Sequence, residues 1–87
     1  MLSFLEFSMN EKLASVLADV FNLKPDQIEP ELTKEDVGSW DSLKQLDLVM
    51  SLEREYDVSL TIEDIVQLVS VAKIIEVLKL KGIDLGD

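Results

Sequence analysis

The stretch Gly38-Ser39-Trp40-Asp41-Ser42-Leu43 runs directly into Lys44-Gln45-Leu46-Asp47-Leu48-Val49-Met50-Ser51-Leu52-Glu53-Arg54-Glu55-Tyr56. Glycine and small polar residues give way to a helical apolar pattern, so a loop leads into a helix at Asp41 or Ser42 that continues to Tyr56. Aspartate and serine are both ordinary helix-capping residues, and either one could be the cap. At 100° per residue, Leu48, Val49, Leu52 and Tyr56 fall within an arc of roughly 100°, the width of a core stripe. Leu43, Leu46 and Met50 fall in a separate arc roughly 60° wide. Such a helix is either buried on both faces or carries an exposed apolar strip. The strip starts at Ser42 and is surrounded by Asp47, Glu53, Arg54 and Asp57, so it is expected to be a docking surface. Opposite charge would steer partners to it, and a methionine adapts to several surfaces.

Three further helical segments lie around this one. Ser8, with Glu11 three residues on, is a capping-box start for the first helix. Leu13, Val16, Leu17, Val20 and Phe21 then follow the spacing of an amphipathic face. Met9 stands just inside that start, so residues 1–8 are expected to be an N-terminal extension to a domain spanning 9–87. Between Lys24 and Asp41 stand Pro25, Pro30 and Gly38, which argue for a long connection rather than a continuous helix. Ile28, Leu32 and Val37 would pin it to the bundle, and so long a connection is often functional. Thr61 caps a short third helix with Ile62, Ile65 and Val66 as its apolar set. Ser70 opens a last helix that buries Val71, Ile74, Ile75 and Leu78 and stops before Gly82. The expected fold is all-α: a four-helix bundle with a long loop between helices one and two and a short third helix.

Composition narrows the function. The chain has 87 residues, 47% of them apolar, enough for one compact domain. It has no histidine and no cysteine, which removes the commonest general base, the best protein nucleophile and any thiolate metal site. Paired carboxylates would need a pocket that a bundle of this size can hardly enclose, so the chain is not expected to be an enzyme. No EF-hand spacing is present, and no metal site is expected. The net charge of −10 repels phosphate backbones and anionic membranes, so nucleic acid is a poor partner. No apolar run is long enough to span a bilayer. The apolar opening lacks a basic region and carries Glu6, unlike a signal peptide, so a cytoplasmic monomer is expected. From Asp26 to Asp64 there are twelve acidic residues and three basic ones, which places most of the excess in the middle of the chain and favours partners with basic patches.

A serine at the first turn of a helix faces free backbone amides and the positive end of the helix dipole. A phosphate ester on its hydroxyl would be stabilised there, and the loop with Gly38 leaves it accessible. Asp41-Ser42-Leu43, followed by Leu48-Val49-Met50-Ser51-Leu52-Glu53 and then Glu55-Tyr56-Asp57, resembles the acyl carrier protein family. The resemblance covers almost the whole chain. It implies that Ser42, set between Asp41 and Leu43, carries a covalent 4′-phosphopantetheine arm transferred from coenzyme A by a phosphopantetheinyl transferase. Acyl groups would then ride on the arm's thiol as thioesters. They would be presented to acyl-transferring, ketosynthase or ligase-type enzymes of fatty-acid, polyketide or related lipid synthesis. On the two-arc reading of the helix, Leu43, Leu46, Asp47, Met50, Glu53 and Asp57 would meet these partners. Trp40 is either a rim contact, a lid over the serine, or buried against the loop.

The departures from the family pattern point away from housekeeping fatty-acid carriers. Those usually have an acidic residue where Lys44 follows the triplet, and again where Arg54 stands. Their loop commonly reads Gly-Ala-Asp-Ser-Leu, whereas here Trp40 precedes Asp41, which looks more like specialised free-standing carriers. Asp41 also differs from the histidine usual in the peptidyl-carrier branch. Two rivals make distinct predictions. An interaction adaptor that never receives the arm would gain no mass from coenzyme A. A hydrolase using Ser42 would turn over activated esters without any cofactor.

Overall fold

The computed structural model describes residues 11–85, and among them the secondary structure is helical, with one isolated antiparallel bridge between Thr33 and Ser70. The helices are α1 (Glu11–Phe21), α2 (Lys34–Val37), α3 (Ser42–Tyr56), α4 (Ile62–Val66) and α5 (Val71–Leu80), with a single 3-10 turn at Pro25–Gln27. The four expected helices are α1, α3, α4 and α5. The Ser8 cap, Met9 and the proposed extension at residues 1–8 lie outside the described residues.

The core forms where the apolar stripes of α1, α3 and α5 meet. Leu13, Leu17, Leu48, Leu52, Val71, Ile74 and Leu78 are fully enclosed, and Phe21 and Val77 nearly so. On α1, Ala14 and Ala18 are also buried, which lets other chains approach closely. Val16 and Ile75 are only half-buried, at the edges of their stripes. Two helices end on a non-glycine residue in the left-handed region, Asn22 (φ 59°) after α1 and Asp57 (φ 52°) after α3. Asparagine and aspartate tolerate that conformation best, and the Asp57 amide returns to the Glu53 carbonyl as a C-terminal cap. At this end of α3 the Lys12 ammonium lies 4.7 Å above the Tyr56 ring and donates to the Glu55 carbonyl at 2.8 Å, tying α1 to α3. The Tyr56 hydroxyl is buried without a hydrogen-bond partner among the described residues, and burial, followed by the nearby Glu55 charge, pushes its pKa up.

The long connection is more ordered than its prolines foretell. Ile28 is buried, and Leu32 and Val37 pack against the core, as expected. Backbone hydrogen bonds from Lys34 to Val69, from Val71 to Leu32 and from Ala72 to Pro30 fasten it to the start of α5. It also contains α2, a single turn set by a capping box in which Thr33 and Asp36 satisfy each other's amides. Gly38, at φ 78°, ends that turn and redirects the chain toward α3.

The apolar set expected for α4 needs correction. Ile65 is half-buried, but Ile62 is 78% exposed and Val66 66% exposed. A helix of five residues is too short to bury a full stripe, and polar contacts hold it instead. Thr61 and Asp64 form a capping box, and the Lys81 ammonium meets the Asp64 carboxylate at 2.6 Å. The Lys81 hydrogen bond, followed by the Thr61 amide, holds the Asp64 pKa below its ordinary value.

Candidate functional site

At the start of α3, two adjacent side chains divide the work. Asp41 is the cap: its Oδ1 accepts the Lys44 amide at 2.9 Å, and its carbonyl accepts the Gln45 amide at 2.8 Å. Ser42 is the first helical residue, is exposed, and makes no side-chain hydrogen bond among the described residues. Its own amide and that of Leu43 belong to the first turn and have no carbonyl a turn behind them. The serine hydroxyl is thus both free and held at the positive end of α3. A phosphodiester on Ser42 Oγ fits this place, because its charge would meet unpaired amides and the helix dipole.

Of the alternatives for Trp40, the structure shows burial, which corrects the rim contact with partners. It is only 5% exposed, with its ring 4.4 Å from the Phe21 ring between centroids, and its indole N–H donates to Gln45 Oε1. A large ring with a satisfied N–H gains more from the core than from the rim. Gln45 was not anticipated as a site residue. Its Nε2 donates to the carbonyls of Ile65 at 2.9 Å and Leu68 at 3.2 Å, so one carboxamide joins the loop, α3 and the end of α4. The signal was present, since Gln45 projects to the middle of the core arc, about 300° from Ser42, where a polar side chain needs a partner.

The second arc of α3 is open to solvent. Leu43 is 78% exposed, and Leu46 and Met50 are each 57% exposed. Asp47 and Asp57 are exposed beside them. Glu53 is half-buried and partly committed, because its carboxylate accepts the Leu60 amide at 2.9 Å and steadies the α3–α4 turn. Arg54 is exposed and pairs loosely with Glu55 at 3.5 Å. It projects about 40° from Met50, whereas Lys44 projects about 200° from Ser42, on the far flank of the helix. Ile62 and Val66 add further exposed apolar surface on α4. No group of residues suited to hold a metal ion occurs among the described residues.

Comparison with known proteins shows the family. A family model described as a phosphopantetheine attachment site matches residues 11–78. The acyl carrier protein of Chlorobium phaeobacteroides is 32% identical over 71 residues, covering 82% of this chain and 91% of that protein. The solution NMR structure of the holo acyl carrier protein from Geobacter metallireducens superposes with a TM-score of 0.73 at 23% identity, covering 84% of each chain, and shares the fold. With its helical bundle and an attachment-site match over most of its length, the chain belongs to the acyl carrier protein family, whose covalent prosthetic group is 4′-phosphopantetheine.

Proposed function

We propose that Ser42 carries the phosphopantetheine arm, and that the chain presents acyl thioesters to synthetic enzymes that dock on the strip Leu43, Leu46 and Met50. The observation that carries this reading is the capping by Asp41, which leaves the Ser42 hydroxyl exposed and uncommitted at a helix start. A phosphopantetheinyl transferase would form the bond from Ser42 Oγ to the phosphorus nearer the pantetheine of coenzyme A. The pyrophosphate bond breaks, the serine proton is lost, and the adenosine bisphosphate half leaves. The arm, once attached, supplies the thiol that this cysteine-free chain lacks.

Asp47 and Asp57, with the free part of Glu53, form an acidic rim for a basic partner patch. Arg54 interrupts that rim, which supports a role with specialised partners rather than a general fatty-acid synthase. The boundary expected at residue 9 is retained in this reading, with residues 9–87 as the carrier domain. Intact-mass analysis after incubation with coenzyme A and a broad-specificity transferase tests the function. A carrier gains one arm, and an interaction adaptor gains nothing.

A further inference from the structure

We infer that Gln45, which grips Trp40 across the Ser42 turn, is a positioning residue that aims the Ser42 hydroxyl for arm transfer. This rests on Ser42 as the attachment site. Transfer joins Ser42 Oγ to phosphorus as the pyrophosphate oxygen leaves, and such a displacement needs the two oxygens roughly in line. A misplacement of about 1 Å, caused far from the reacting atoms, can cost about a hundredfold in rate.

The serine cannot aim itself. Its side chain makes no hydrogen bond among the described residues, so the backbone of the turn sets where Oγ stands. Upstream, Gly38 and Ser39 are exposed, and nothing lies within 4 Å of a Cβ placed on Gly38. The first fixed point before Ser42 is Trp40, whose ring is buried against Phe21 of α1. The fixed point after it is Gln45, whose Nε2 donates to the carbonyls of Ile65 and Leu68. Gln45 Oε1 accepts the Trp40 indole N–H, so one hydrogen bond spans the turn and joins its two anchors. Inside the span, the Asp41 amide donates to the Ser39 carbonyl at 2.9 Å, and the Asp41 carbonyl accepts the Gln45 amide. Loss of the carboxamide strands a buried indole N–H, a cost that the loop relieves by shifting against α3. Leu43, Leu46 and Met50 lend no side chain to this clamp, so aim and docking separate kinetically.

The test measures arm transfer from coenzyme A to the full chain by a broad-specificity transferase, well below the unfolding midpoint of each variant. Single-turnover rates over a range of carrier concentrations separate the maximal rate from the half-saturating concentration. Gln45→Met keeps the volume and loses the carboxamide. Its maximal rate should fall about tenfold, with half-saturation within about twofold of the parent. Trp40→Phe keeps a ring against Phe21 and loses only the N–H. It should fall about threefold in the same manner, and it decides the matter if Gln45→Met does not fold. Val49→Ala weakens the core without touching the clamp and should keep the parental rate. A parental maximal rate in either clamp variant would overturn the inference. So would a shift in half-saturation alone, or an equal fall in Val49→Ala. An unaltered chain that gains no arm would instead overturn the attachment reading.

Discussion

Asp41 accepts the Lys44 amide at 2.9 Å and thereby relieves its neighbour Ser42 of the capping role, leaving one side chain to hold the helix and the other to carry chemistry. The two substitutions should separate cleanly. Asp41→Ala should cost about 1 kcal/mol of unfolding stability, the usual loss on removing a cap. Ser42→Ala, at an exposed position with no bond to lose, should stay within about 0.5 kcal/mol of the parent. Urea unfolding of both variants measures this, and equal losses would mean that Ser42 shares the capping.

Val49 and Met50 are sequence neighbours on opposite sides of the fold's boundary, one 7% exposed and the other 57%. Val49→Ala should lower stability by about 1–2 kcal/mol, through lost contacts and a residual cavity. Met50→Ala should change stability by less than about 0.5 kcal/mol and slow arm transfer or acyl loading by a partner enzyme. A Met50→Ala variant as unstable as Val49→Ala would place both arcs in the core.

Arg54 lies on the docking side of α3 and Lys44 on the far flank, so their charges should not count equally. With a transferase chosen for a basic acceptor-facing surface, Arg54→Glu should strengthen binding more than Lys44→Glu. The gain should shrink as salt rises toward physiological strength, where the screening length falls to about 8 Å. Binding measured by titration at low and high salt distinguishes this from a gain that salt leaves untouched.

The Asp64–Lys81 pair predicts an acid-sensitive link between α4 and the end of α5. The folded carboxyl titrates below its ordinary value, so its stabilisation is complete above about pH 4 and is lost as pH falls through the lower folded value. Lys81→Ala removes the leading cause of that shift. Its stability deficit against the parent should therefore be largest near neutrality and shrink in acid, as read by urea midpoints over that range. A deficit independent of pH would assign Lys81 a packing role only.

Much of this was legible in the residues, and the exceptions have physical causes. The limits of α3 followed from Asp41 and the apolar period through Tyr56, because a helix of that length carries several turns of signal. The single turn α2 escaped a reading based on periodicity, although Thr33, Asp36 and Gly38 hold its start and stop signals. Ile62 and Val66 belong to the apolar set of the short helix yet lie outside, because apolar spacing implies burial only where a helix is long enough to be held by its stripe. Trp40 was undecided because a loop aromatic packs or projects according to partners remote in sequence, here Phe21 and Gln45.

The central claim is that the free hydroxyl of Ser42 is the attachment point, and peptide mapping of the arm-loaded chain tests it most directly. After reaction with coenzyme A and transferase, tandem mass spectrometry should place one phosphopantetheine on the peptide containing Asp41-Ser42-Leu43, on Ser42 itself. Ser42→Ala, folded to the same urea midpoint, should gain no mass. An arm found on Ser39, Ser51 or any other residue, or one that persists in the alanine variant, would contradict the account.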